Sequence, residues 1–268
     1  MTFRNDLLVQ ALRRFELLAG AADETLCELA RAAVSRRVSR GICLWRAGLR
    51  AEQVVFVQGG FVSMRGASGG VGRAVYAFAG PSDVSGAEYA RRWGVHTANA
   101  YVSSERVDLL VIEAAALARA AAGDPALAVA LEAASARGPA AFEPKLQVLY
   151  AGAAPRRLAT LTLYLAERYG RPLAGGSTRV PSMPSLPDLA AYAGVSAAAT
   201  TEHFGNWAAR GIARLEAGGL LIESPSELES IAYDPSPGVA CGPSRSSGVV
   251  RRSLLWGESL QARALRRR

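Results

Sequence analysis

Lysine is almost absent from this chain: Lys145 is the only one among 31 basic residues, and the rest are arginine. With the many alanines, that skew reads as codon bias and carries no chemistry by itself. Histidine is nearly missing too, with two residues, and cysteine has three. Cys27, Cys43 and Cys241 stand far apart, form no CxxC pair and have no histidine at ligand spacing, which argues against a structural metal. An iron–sulfur cluster needs about four thiolates, so the cysteines read as small buried hydrophobes. No uninterrupted apolar run approaches the roughly 18–20 residues of a membrane span. The opening MTFRNDLLVQALRRFELLAG sets Asp6 and Glu16 among its apolar positions, so an amphipathic helix of a cytoplasmic protein with no membrane partner is expected. There is no glycine-rich phosphate loop, GxSxG, HExxH or spaced carboxylate pair. No enzymatic activity, catalytic residue or metal ligand is expected.

What is present is a globular composition, half apolar and one-fifth charged, over 268 residues, enough for two domains. The net charge of +8 points toward nucleic acid. Its distribution matters more: +3 over residues 1–154, zero over 155–233 and +5 over 234–268. Most of the excess therefore belongs to the tail.

Apolar spacing predicts two short helices at 4–18 and 21–34. From Gly41 to about Ile112 the period changes to short β-rich runs, ICLWRAG, VVFVQGGFVSM, Gly72 with RAVYAFAG, TANAYV and DLLVIE, separated by glycine turns. That pattern predicts an antiparallel sandwich or barrel. After Ile112 the chain turns helical, with Asp124-Pro125 as a start signal and Pro139 and Pro144 interrupting a helix that would otherwise reach Tyr150. Residues 156–170 read as an amphipathic helix with Leu158, Leu161, Leu165 and Tyr169 on one face. Residues 171–187 read as a loop or short hairpin, and 234–268 as a flexible basic tail.

The order of these pieces resembles the CRP/FNR family of bacterial transcription regulators over roughly residues 14–233. The stretch from Gly41 to Gly48 with VVFVQGGFVSM resembles the family's opening strands. GPSDVSG, 80–86, resembles its turn near the effector pocket, and Pro125 to PRRLATLTLYLAERYG resembles the dimerisation helix and the entry to the DNA-binding domain. The resemblance implies an α+β fold: an N-terminal cyclic-nucleotide-binding-like β-roll (jelly-roll) over 1–122, a long dimerisation helix over 123–154 kinked at Pro139 and Pro144, and a C-terminal winged helix-turn-helix over 155–233. It further implies double-stranded DNA, a second copy of the chain and RNA polymerase as partners.

Leu189, Ala190, Ala193, Gly194 and Val195 fit the first helix and turn of a helix-turn-helix, where glycine supplies a positive φ. Two alignments of the next helix compete. Aligning backward from Leu215 and Glu216 places Arg210 on the arginine that relatives commonly use on guanine. Asn206 and Gly205 then fall on neighbouring contact positions, SAAATTEH becomes surplus in the turn, and RGIARLEAGGLLI becomes the helix end, with Leu215 and Leu220 as core and Gly218-Gly219 as its cap. Aligning forward from Gly194 puts Ala197, Ala198 and Glu202 at the contact positions. The backward alignment keeps an arginine in the groove and is preferred. The DNA-facing candidates are Arg210, Asn206, Gly205, Arg214, Ser196 and Arg179.

In cyclic-nucleotide-binding relatives a glutamate after the turn holds the ribose, and an Arg-Ser or Arg-Thr pair in the next strand holds the phosphate. Here Gly86 is followed by Ala87, Glu88 is one residue late, and the strand reads His96-Thr97-Ala98. A neutral histidine is a poor phosphate clamp, so these residues argue against a cyclic nucleotide. Lone His96 without a flanking signature also argues against haem. The effector stays unnamed: Gly86, Ala87, Glu88, His96, Thr97 and Ala98 are the candidate pocket, with Trp93, Tyr89 and Tyr101 as aromatic lining for a small organic molecule, and no effector at all is the alternative. The expected function is a homodimeric, sequence-specific DNA-binding regulator not controlled by cyclic AMP. The alternative is a cyclic-nucleotide-binding-like interaction module that no longer reads DNA.

Overall fold

A computed structural model describes residues 2–66, 74–87, 94–136 and 142–233. Glu88, Tyr89, Trp93, Pro139, Cys241 and the basic tail lie outside the described residues. The chain opens with α1 (Thr2–Arg13), a 3-10 turn at Glu16–Leu18 and α2 (Asp23–Ala32), which bury Leu12, Phe15, Leu18, Leu26 and Leu29. Eight strands follow: β1 (Val34–Ser39), β2 (Cys43–Trp45), β3 (Gln53–Gly59), β4 (Val62–Arg65), β5 (Val75–Ala79), β6 (Val84–Ser85), β7 (Asn99–Val102) and β8 (Arg106–Glu113). They pair antiparallel into two four-stranded sheets, ordered β1-β8-β3-β6 and β2-β7-β4-β5.

Strand alternation divides the first sheet's side chains between two cores. Val54 and Phe56 of β3 and Leu110 and Ile112 of β8 face the helices, while Val55, Val57, Leu109 and Val111 join Val62, Ala100 and Val102 of the other sheet. Each fully buried large apolar side chain contributes about 1.5–3 kcal/mol. β1, at a sheet edge, is absent from the strand pattern expected from sequence. Its VSRRVS is exposed except for half-buried Val38, so no apolar alternation marks it.

From β8 the chain enters α3 (Ala114–Gly123), α4 (Pro125–Ala136), α5 (Glu143–Tyr150) and α6 (Ala154–Tyr169). Asp124 starts α4 by accepting from the amides of Ala126 and Leu127, and it also accepts from Ala22 at 2.9 Å, which ties α4 to the first helices. The Ala22 amide, then that of Leu127, hold its carboxyl below the ordinary range. Pro144 occupies the first turn of α5, where its missing amide costs no helical bond, so α5 begins there as a separate helix.

Beyond α6 lie β9 (Arg171–Pro172), β10 (Thr178–Val180), α7 (Leu186–Ala193), α8 (Ala197–Ala209), β11 (Ala213–Glu216), β12 (Gly219–Ile222) and α9 (Pro225–Tyr233). The four strands form a small antiparallel sheet, β11-β12-β10-β9. Its core holds Leu158, Leu161, Leu165, Leu189, Phe204, Trp207, Leu220 and Ile222, and is continuous with Phe61, Val75 and Phe78 of the strand-rich half.

Candidate nucleic-acid interface

α7 and α8 are joined by three residues. Gly194 takes the left-handed conformation (φ +63°, ψ +41°) that ends α7, and Ser196 caps α8 by accepting from the Ala199 amide at 3.1 Å. SAAATTEH is therefore not a surplus in the turn, and this corrects the backward alignment. Ser196 is the cap and the next residues are the first two turns of α8. Thr200, Phe204 and Trp207, at four- and three-residue spacing, are buried, with the Phe204 and Trp207 rings 5.1 Å apart. The opposite face exposes Ala197, Ala198, Thr201, Glu202, Gly205 and Asn206. The forward alignment, with Ala197, Ala198 and Glu202 at the contact positions, is the one this geometry fits. The spacing Thr200, Phe204, Trp207 is the sequence signal for a longer helix.

Arg210 follows the last residue of α8, and Gly211 at φ +66° turns the chain away. Residues 213–216 are a strand, Ala217 and Gly218 make its hairpin turn, Gly219 opens β12 opposite Glu216 so that neither glycine caps a helix, and Leu215 is 44% exposed and not core, whereas Leu220 is fully buried. The helix ends earlier than the backward alignment requires because Ile212 and Ala213 are buried in the small-sheet core.

The expected cationic contacts are ion-paired within this half. Arg210 meets Glu227 at 3.3 Å, Arg179 meets Glu216 at 3.0 Å, and Arg214 meets Glu216 at 3.5 Å and Glu223 at 3.3 Å. All of these arginines remain about half exposed, so each pair is worth only about 0–1 kcal/mol.

The candidate sensor residues that lie among the described residues do not converge. Ala87 is buried with Val54, Phe56 and the helices, on one face of the β1-β8-β3-β6 sheet. His96 is buried elsewhere, stacked on Trp45 with ring centroids 4.7 Å apart, and Trp45 packs against the core between the sheets. Thr97 is exposed and Ala98 buried. Gly86 takes φ +90°, and a Cβ there would stand 2.7 Å from the Gln53 carbonyl oxygen, so the turn needs glycine for its approach to β3. Burial lowers the pKa of His96, which keeps its ring neutral near pH 7. Among the described residues no cluster of His, Cys, Asp and Glu could hold a metal ion, and no helix is long and apolar enough to cross a membrane.

No family model matches the chain, and no curated protein matches it. Solved structures do. FixK2 from Bradyrhizobium japonicum is 21% identical with a TM-score of 0.61, covering 75% of this chain and 98% of its own. A transcriptional regulator of the CRP family from Thermus thermophilus is 18% identical at a TM-score of 0.56, covering 74% and 96%. A CRP/FNR family transcriptional regulator from the same organism is 18% identical at 0.53, covering 74% and 98%. Identities this low carry the architecture and no more, and in its fold, antiparallel β-roll sheets followed by helices, the chain is CRP/FNR-like.

Proposed function

We propose that this protein is a homodimeric, sequence-specific DNA-binding transcription regulator in which α7 and α8 act as a helix-turn-helix and the β11–β12 hairpin as its wing. The observation that carries the reading is the three-residue turn with left-handed Gly194, followed by a 13-residue helix whose outer face is open along its length. A helix of that length spans roughly 20 Å, enough to lie in a major groove. On that face Glu202 would accept from cytosine N4, Asn206 would pair with adenine N6 and N7, and Ala197 and Ala198 would pack on thymine methyls. Arg179, Arg210 and Arg214 would exchange their glutamate partners for phosphates.

Dimerisation is supported by the connecting helices. Val129 of α4 is 70% exposed, and Phe142, Leu146 and Tyr150 repeat every four residues along α5, with Tyr150 85% exposed. A stripe of exposed apolar residues at helical spacing is what a second copy would cover. RNA polymerase is proposed as the further partner of the DNA-bound dimer. The sensor is proposed to take no cyclic nucleotide, since Ala87 offers no ribose carboxylate and His96 is packed under Trp45.

Selection of duplexes from a random library by purified protein tests the reading. Enrichment of a two-fold symmetric site, relaxed at one base position by Glu202→Ala, supports it. No enrichment at low salt from folded protein would favour the second reading, an interaction module without DNA specificity, which is supported by the glutamate pairing of all three candidate arginines.

A further inference from the structure

Asp188 begins α7 at the third helical position, with Ser185 as its cap. In an ordinary capping box the carboxylate at that position reaches back to the cap residue's own amide. Here it does not. Both groups bond instead to Ser103, at the end of β7: the Ser185 amide donates to Ser103 Oγ at 3.1 Å, and Ser103 Oγ donates to Asp188 Oδ2 at 2.5 Å. Arg65 of β4 reaches the other Asp188 oxygen at 2.8 Å while its guanidinium lies 4.6 Å from the centroid of the Tyr101 ring. Ser103 is 1% exposed and is itself fixed by its amide, which donates to the Phe61 carbonyl at 2.8 Å. The N-terminal cap of a helix in one half of the molecule is thus completed by a hydroxyl from the other half.

Further contacts hold the same seam. Asp83, in the Gly80–Asp83 turn, accepts from the Tyr169 hydroxyl at 2.6 Å and from Arg168 at 2.6 Å, both on α6. The Phe78 and Tyr192 rings stack 5.1 Å apart, joining β5 to α7.

We propose that Ser103 and Asp188, with Arg65, are positioning residues that fix the orientation of α7 and α8 on the β-roll, so that each protomer sets the spacing its dimer reads between DNA half-sites. This rests on the DNA-binding reading for its consequence, though the latch itself does not. Without it, α7 keeps its core contacts but loses the polar bonds that fix its angle to the β4 and β7 strands. The half-site sequence is read by the outer face of α8 and is untouched by the latch.

The test uses full-length protein with Ser103→Ala, Asp188→Asn and Arg65→Gln. In duplex selection, the wild-type protein enriches one half-site spacing, while Ser103→Ala and Asp188→Asn enrich the same half-site sequence at two or more spacings. A role limited to stability would weaken enrichment and keep the single spacing, and that result overturns the proposal. Hydrogen exchange supplies a reading independent of DNA. Ser103→Ala leaves Ser185 and Asp188 in place, yet amides of 185–193 exchange about tenfold faster, with β8 amides unchanged. Unchanged exchange in 185–193 overturns the latch. Should the wild-type protein enrich no duplex, the DNA reading fails while exchange still decides whether Ser103 holds α7; should Asp188→Asn not fold, Ser103→Ala and Arg65→Gln carry the same comparison.

Discussion

His96 stacks on Trp45 and is 6% exposed, and that burial disfavours its charged form. The folded state therefore binds the proton less readily than the unfolded chain, whose histidine titrates near 6.5. Stability from this group is fully present above about 6.5 and is lost as pH falls through the lower folded value. Thermal unfolding followed downward from pH 7 should show a loss of stability that His96→Phe flattens; an identical slope in both proteins would contradict the assignment. Gly80 makes a second residue-scale case. A Cβ at this position would stand 2.5 Å from Phe61 and 2.7 Å from Tyr169, both aromatic and mutually packed edge-to-face. Gly80→Ala forces these rings apart across the seam, and an overpacking cost of about 1–3 kcal/mol is expected in denaturant unfolding.

α5 is the shortest of the connecting helices, and Lys145 gives it a disproportionate part in the architecture. Its Nζ donates to the carbonyl of Val75 in β5 at 2.9 Å and to those of Ala191 (3.4 Å) and Tyr192 at the end of α7, and it lies 4.6 Å from the centroid of the Tyr192 ring. Burial, and next the charge of Arg157, brings its amine down to about 8, so at pH 7 it remains the charged donor. Lys145→Ala leaves these partly buried carbonyls without their donor and should cost about 1–3 kcal/mol, read by denaturant unfolding. An unchanged midpoint would show that water replaces the amine freely.

Elements also differ in how plainly the sequence announces them. The strand runs VVFVQGG and DLLVIE and the face of α6 are legible because their apolar residues alternate or recur at helical spacing, and the structure buries them. β1 is hidden because VSRRVS borrows its partner from β8 through backbone bonds and has almost no buried face. α8 is hard to place because its outer residues, Glu202 apart, are small or uncharged, so a preference for an arginine in the groove overrides the inward spacing Thr200, Phe204, Trp207. Glu202 is legible only through the forward alignment. The cross-seam bond from Ser103 to Asp188 spans 85 residues, and no local pattern could signal it.

At the scale of the whole molecule, the β-roll and the C-terminal half share one core through Phe61, Val75 and Phe78, so they are joined by packing as well as by the connecting helices. The proposed dimer adds the exposed stripe of Phe142, Leu146 and Tyr150. Leu146→Glu with Tyr150→Glu would place charges on that stripe, and sedimentation should then show monomers, with the unfolding midpoint lowered as the stabilisation by association is lost; a dimer persisting in the variant would move the interface elsewhere. Exchange of the glutamate partners of Arg179, Arg210 and Arg214 for phosphates in each protomer predicts that duplex affinity falls clearly as salt rises, and that Arg210→Ala makes that fall shallower.

Duplex selection with wild-type, Glu202→Ala and Arg210→Ala proteins decides whether the outer face of α8 reads bases. The expected result is a two-fold symmetric site whose cytosine preference at one position is relaxed by Glu202→Ala, whereas Arg210→Ala lowers affinity without changing the sequence. A site unchanged by Glu202→Ala but relaxed by Arg210→Ala would contradict it.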